Sequence, residues 1–155
     1  MTARTLHLID LENLAGGGGM NLPSAQAARE RYEQQINIDE DDLVVVASGP
    51  SSVLVIHESF RGARQLVGRG LDGADRALID VVNHERIAER FPRVVVASGD
   101  AIFCDAVSQL GGQGTHVIVA SDPGRLSRRL RLAACAVVEL TAEPSSTPIS
   151  TPKAA

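Results

Sequence analysis

The sequence predicts an α/β fold, a doubly wound three-layer sandwich built on a mainly parallel sheet of five to six strands. Three observations predict it. Six short β-rich runs alternate with helical stretches, the pattern of repeated strand–helix–strand units. Runs such as VVVAS are near-continuous in branched apolar residues rather than alternating, which marks strands covered on both faces, the habit of parallel sheets. A chain of 155 residues, 44% of them apolar, suffices for one compact domain with a full core and is too short for two comfortable ones. The aromatic fraction is only 3%, so the core must be built mainly from Val, Leu, Ile and Ala.

The first strand is predicted at residues 5–10, TLHLID, and ends on Asp10. Glu12 and Asn13 follow in the loop. An acid at a strand terminus often caps a turn, but with an acid and an amide so close behind it Asp10 is a candidate for metal or substrate contact. The run AGGGG at 15–19 has neither GxGxxG nor GK[ST] spacing and reads as a flexible access loop rather than a phosphate cradle. A helix around 23–35, a strand at 43–48, a helix around 51–59 and a strand at 63–67 come next.

DGADRALIDVV then opens a helix expected over 73–90. Asp72 is placed to cap it, Asp75 lies in its first turn, and Asp80, five residues on, is rotated well off the face of Asp75. Asp80 therefore reads as a solvated or salt-bridged side chain. The strand at 93–98 supplies an internal control: VVVASG occurs at 44–49 and again at 94–99. The first copy runs into Pro50 and the second into Asp100, so Ser-Gly belongs to the scaffold and the acid is the functional candidate. Asp100 would start the helix at 101–110, where backbone N–H groups favour anions. Asp105, one turn past Ile102, is either solvated or within water-mediated reach of a metal.

A strand at 115–121, a helix at 124–134 and a strand at 136–140 complete the fold. Arg125, Arg128, Arg129 and Arg131 form either a solvated helix face or a phosphate-contacting patch. Residues 1–140 thus form the domain, and 141–155, rich in Pro, Ser and Thr, are expected to be a disordered tail. Net charge is −4, which excludes a general polyanion-coating protein. Cys104 and Cys135 show no CxxC spacing and read as two reduced thiols packed as small apolar groups, and the histidines fit no zinc spacing. With no leader pattern and no apolar run of ~18 residues, a soluble cytoplasmic protein without membrane contact is expected.

Strand order does not follow from spacing. If the first strand lies beside the fourth, Asp10 and Asp100 flank the topological switch point, and the helix from Gly73 brings Asp75 to the same rim. Clustered carboxylates repel by roughly 4 kcal/mol per pair at ~4 Å and an effective dielectric of about 20. A divalent cation relieves that repulsion, and such a site most often serves phosphoryl chemistry.

LIDLENL, GADRALID and ASGDAIF, in this order, resemble the NYN domain of the PIN-like nuclease superfamily. GGQGTHVIVAS and LSRRLRLAACAVVEL look like its closing strand–helix–strand, and the resemblance spans residues 5–140. It implies a Rossmann-like, PIN-like sandwich of strand order 3-2-1-4-5. It also implies a Mg²⁺- or Mn²⁺-dependent endoribonuclease site acting on RNA, single-stranded or flexible. Asp10, Asp75 and Asp100 match the family's acids, Asn13 and Ser98 its polar companions, and Asp80 a further acid. Many members carry a second aspartate two residues after the Gly-Asp, where this chain has Ile102; Asp105 or water would fill that place. In this reading Asp10, Asp75 and Asp100 hold the cation and carry the catalysis. Asn13, Ser98, Arg125 and Arg128 bind substrate, Glu12, Asp80 and Asp105 are auxiliary acids, and a homodimer is compatible with it. The rival is an RNA- or nucleotide-binding regulatory module that keeps the fold without the chemistry. A receiver-like signalling domain is disfavoured, because its lysine after the fifth strand is missing: Lys153 in the tail is the sole lysine.

Overall fold

The computed structural model describes residues 3–17 and 20–141, so the expected tail lies, but for Thr141, outside the described residues. Six strands alternate with helices: β1 (Thr5–Asp10), α1 (Leu11–Leu14), α2 (Leu22–Gln35), β2 (Leu43–Ser48), α3 (Val53–Ser59) and β3 (Arg64–Val67), then α4 (Gly73–His84), α5 (Ile87–Arg90) and β4 (Arg93–Ala97), and finally α6 (Cys104–Gly112), β5 (His116–Ser121), α7 (Arg128–Ala133) and β6 (Ala136–Glu139). The strands pair in the order β3-β2-β1-β4-β5-β6, every pair parallel. The order 3-2-1-4-5 therefore holds, with β6 added at the edge.

Parallel strands expose both faces to helices, and the side chains of β1 divide accordingly. Leu6 and Leu8 join the core under α4, α5, α6 and α7, with Val45, Ala47, Val94 and Val96 from neighbouring strands. Ile9 turns to the opposite core with Val46, Val95 and Ala97, under α1, α2 and α3. The parity that sends Leu6 and Leu8 toward α4 sends Asp10 the same way. On α4 the buried residues Ala74, Asp75, Leu78, Val81 and Val82 follow helical spacing, so Asp75 occupies an otherwise apolar stripe. Burying Leu78 completely contributes about 2 kcal/mol toward seating that stripe on the sheet. The few aromatic residues are all interior: Tyr32, Phe60, Phe91 and Phe103 are each at most 3% exposed.

Several element boundaries differ from expectation, each for a local reason. The helix expected over 73–90 breaks after His84, because Arg86 takes a left-handed conformation (φ 53°) before α5 begins. Asp72 does not cap α4: it too is left-handed (φ 54°), and its side chain makes no cap hydrogen bond. The stretch 124–134 is not one helix. Pro123–Arg125 form a 3₁₀ turn, Leu126 and Ser127 are extended, and α7 starts at Arg128. The Ser127 N–H donates to the Gly99 carbonyl at 2.9 Å, which holds that extended step and divides the arginines between two elements. Cys104 is buried as expected, whereas Cys135 is exposed rather than packed, and both are free thiols.

One buried polar cluster gave no signal in the sequence. His7 on β1 is fully buried, with Nδ1 2.6 Å from the Tyr32 hydroxyl and Nε2 3.0 Å from Asp42 Oδ2. A carboxylate only accepts, so Nε2 carries the proton and the tyrosine O–H donates to Nδ1. Asp42 also accepts the Thr5 and Asp39 N–H groups. Burial lowers the His7 pKa against the pull of Asp42. The Asp42 carboxyl, though pushed up by burial, is held below its usual range by its hydrogen bonds from His7, Thr5 and Asp39. This triad staples β1 to α2 and to the turn before β2, away from the rim that carries Asp10.

Candidate functional site

Between β1, whose neighbours run toward β3, and β4, whose neighbours run toward β6, lies the topological switch point of the sheet. A cleft of about 430 Å³ opens there, at the carboxyl ends of the strands. Asp10, Glu12, Asn13, Asp72, Asp75, Asp100 and Arg125 line it, together with glycines 17, 49, 68, 70 and 73. Residues from β1, the β3–α4 connection, the end of β4 and the β5–α7 turn thus meet in one place.

Asp10 is 5% exposed and Asp75 8%, and their carboxyl groups are hydrogen-bonded to each other. Burial pushes the Asp75 pKa up to about 8, helped by the charge of Asp10, the hydrogen bond between them and the charges of Asp100 and Asp72. Burial also raises Asp10, against its hydrogen bonds with Asp75, Ser98 and the Asn13 N–H. The pair therefore shares one proton, held on Asp75, as two carboxyls in contact must when nothing else neutralises them.

The surrounding hydrogen bonds fix orientation. Ser98 Oγ donates to Asp10 Oδ2 at 3.0 Å and accepts the Asp100 N–H at 3.3 Å. Asn13 sits in α1, which Asp10 itself caps; its Oδ1 accepts the Gly99 N–H at 3.1 Å. That bond determines which way the amide faces, so the NH₂ group is the end left to donate. Glu12 Oε1 accepts the Gly49 N–H at 3.1 Å. Asp100 turns one oxygen back to the Ile102 N–H at 2.9 Å. Gly99 allows this assembly: a Cβ there would lie 2.3 Å from the Arg125 carbonyl oxygen and 2.5 Å from Ser121 Oγ.

Among the described residues, no three His, Cys, Asp or Glu side chains stand ready-arranged around a metal ion. The donor set nevertheless fits a hard dication. It is all oxygen, several carboxylates share one cleft, and burial together with the charges of Asp10, Asp100 and Asp72 holds Asp75 back from ionising. Asp10 and Asp75, with Asp100, are the residues that would hold Mg²⁺ or Mn²⁺.

The other candidates sort by position. Arg125 lines the cleft and donates to the Gly16 carbonyl. Arg128 and Arg129 are exposed on the first turn of α7, outside the lining, and Arg131 pairs with Glu139 at 2.9 Å. Asp80 is exposed on α4, its carbonyl bonded by His84 Nδ1, and Asp105 is exposed on α6; neither reaches the cleft. Asp72, expected as a cap, lines it instead. Asp75, expected at the rim, is delivered there by the helical stripe it shares with Leu78 and Val82.

Fold and site together define a Rossmann-like three-layer α/β protein with an acid-lined cleft at its switch point. No protein-family model matches the chain, and no curated protein matches it. Among solved structures it is similar to VPA0982, a protein of unknown function from Vibrio parahaemolyticus, with TM-score 0.62 and 17% identity over 90% of this chain and 93% of that one. That likeness shows the fold. Among the described residues no helix is long and apolar enough to cross a membrane.

Proposed function

We propose that this protein is a metal-dependent endoribonuclease of the NYN, PIN-like kind, a cytoplasmic enzyme that hydrolyses phosphodiester bonds in single-stranded RNA. The observation that carries this reading is the convergence of Asp10, Asp75 and Asp100, from three segments remote in the chain, on one cleft at the switch point of the sheet. Asp10, Asp75 and Asp100 would hold Mg²⁺ or Mn²⁺, which when bound polarises a phosphate and lowers the pKa of water. Asp75 releases its proton to solvent as the site fills. Ser98 keeps the Asp10 carboxylate aimed into the cleft, the free NH₂ of Asn13 donates to a phosphate oxygen, and Arg125 leaves the Gly16 carbonyl to pair with the backbone of the substrate. The test is incubation of the purified protein with RNA of mixed structure in Mg²⁺, Mn²⁺ and EDTA. Cleavage is expected with either metal and none in EDTA. Asp100→Asn should lower the rate at least ~100-fold while unfolding at nearly the wild-type temperature. No products with either metal, or wild-type cleavage by Asp100→Asn, would overturn the assignment.

One observation favours a second reading. With Ile102 in place of an acid and Asp100 turned onto the Ile102 N–H, the cleft could bind RNA without cutting it. RNA binding indifferent to chelator, with no products in Mn²⁺, would mark the protein as a binding module.

A further inference from the structure

Five large apolar side chains are exposed among the described residues, Val53, Leu54, Val67, Leu71 and Leu132, and two of them, Val67 at the end of β3 and Leu71 in the loop beyond it, adjoin the cleft-lining residues Gly68, Gly70 and Asp72 in the chain. Leu71 is 82% exposed and stands between two cleft-lining residues, Gly70 and Asp72, both with positive φ (78° and 54°). A left-handed aspartate costs ~1 kcal/mol, and a leucine gains nothing at a wet loop tip, so the loop keeps a shape that its own propensities do not reward. Arg69 in the same loop is exposed and makes no ion pair or side-chain hydrogen bond among the described residues. Across the cleft, Arg125 is the one cation in the lining among the described residues, and its guanidinium rests on a backbone carbonyl rather than a carboxylate. The acidic lining thus has Arg125 on one side and, on the other, the loop 68–72, where exposed Arg69 and Leu71 alternate in sequence with the lining residues Gly68, Gly70 and Asp72, Leu71 forming an apolar lip.

We infer that the loop 68–72 seats an unstacked nucleobase, Leu71 packing on the face of the base and Arg69 meeting the adjoining phosphate, so that a single RNA strand runs from this lip across the acids to Arg125. The inference rests on the nuclease reading and names the part of the strand that the cleft grips. From β3 to β5 is four strand spacings of ~4.8 Å, roughly 19 Å, the reach of a few extended nucleotides. Alternation of cations with apolar surface is what single-strand grooves use, since every base offers an apolar face and only an unpaired strand exposes it. A protein covering the same lip is the alternative that the experiment separates; the strand is favoured because Arg69, in the same loop as Leu71, has no partner among the described residues.

The experiment measures binding of a short fluorescein-labelled oligouridylate to the full chain across a salt series, alongside its cleavage in Mg²⁺ and Mn²⁺, for wild type, Leu71→Ala, Leu71→Phe and Arg69→Ala. Leu71→Ala should weaken binding about five- to tenfold with an unchanged salt slope, and Leu71→Phe should restore it. Arg69→Ala should reduce the slope of log affinity against log salt by ~0.7. If wild type binds and cuts the oligonucleotide while Leu71→Ala and Arg69→Ala bind it equally well, the lip serves another occupant, such as a protein, and only this inference falls. If wild type neither binds nor cuts it, the nuclease reading falls too.

Discussion

Replacing Asp75 by Asn tests the charge logic of the cleft without any substrate. In the folded protein the Asp75 pKa stands at about 8, against an ordinary 3.8. A carboxyl raised in this way binds more protons folded than unfolded, so its contribution is full below the unfolded value and is lost as pH rises through the folded one. Between pH ~6.5 and ~9 the unfolded chain keeps Asp75 ionised, while the folded chain surrenders about 1.5 protons × pH units; at 1.36 kcal/mol per unit this is about 2 kcal/mol. Water in the open cleft screens part of that, leaving ~1–2 kcal/mol, or about 3–6 °C in unfolding temperature for a domain of this size. The assay is thermal unfolding of wild type and Asp75→Asn in EDTA across that pH range. Wild type should lose stability relative to the variant as pH rises, and Mg²⁺ or Mn²⁺ at pH ~9 should restore wild type far more than Asp75→Asn. A difference between the two proteins that stays flat with pH would refute the claim that burial and its acidic neighbours hold the Asp75 proton in place.

Other outcomes follow from the same structure. His7→Phe should cost ~2–3 kcal/mol in chemical unfolding, because it strands the buried Asp42 carboxylate and Tyr32 hydroxyl. Because burial lowers the His7 pKa below 6.5, wild type should also lose stability as pH falls below ~6.5, a loss that the variant lacks. Gly99→Ala places a methyl group 2.3 Å from the Arg125 carbonyl oxygen; it should lower stability by ~2–3 kcal/mol and impair the proposed RNA cleavage, with circular dichroism still reporting an α/β fold. Ser98→Ala removes one hydrogen bond to a carboxylate and should destabilise by about 1–2 kcal/mol, visible as a lowered urea midpoint.

The fold was legible because parallel strands write themselves as apolar runs. All six were visible in the sequence, with ends within a residue or so of those observed, since burial on both faces leaves little latitude in residue type. Helix ends were less legible. Arg86 and Asp72 adopt left-handed conformations that no local preference announces, and Leu126 and Ser127 are extended because Ser127 meets the Gly99 carbonyl, a partner remote in the chain. Within the site, Asp10, Asp75 and Asp100 could be picked out because each terminates a strand or opens a helix, whereas Asn13 rested on its closeness to Asp10 and Ser98 on the family resemblance. Arg128 could not be separated from Arg125 by sequence, as they differ only in which side of an unforeseen extended step they occupy. The partnership of His7, Tyr32 and Asp42 spans elements whose contact depends on how α2 crosses the sheet.

The hardest feature to read was also the one that delivers Asp75. Asp75 enters the cleft because the chain folds back on itself between β3 and α4, bringing Gly68 against Gly73: a Cβ at Gly68 would fall 1.9 Å from the Gly73 carbonyl carbon and oxygen. The Gly68 N–H also donates to the Ser48 carbonyl at 2.9 Å, which fastens the start of this turn to the end of β2. Each glycine is required by the backbone of the other rather than by its own conformation, so neither carries a motif. The position of the carboxylate that gathers the most repulsion is therefore set by two residues with no side chain at all. A methyl at either would push the first turn of α4 off the rim, separating Asp75 from Asp10 and dispersing the charge on which the proposed chemistry depends.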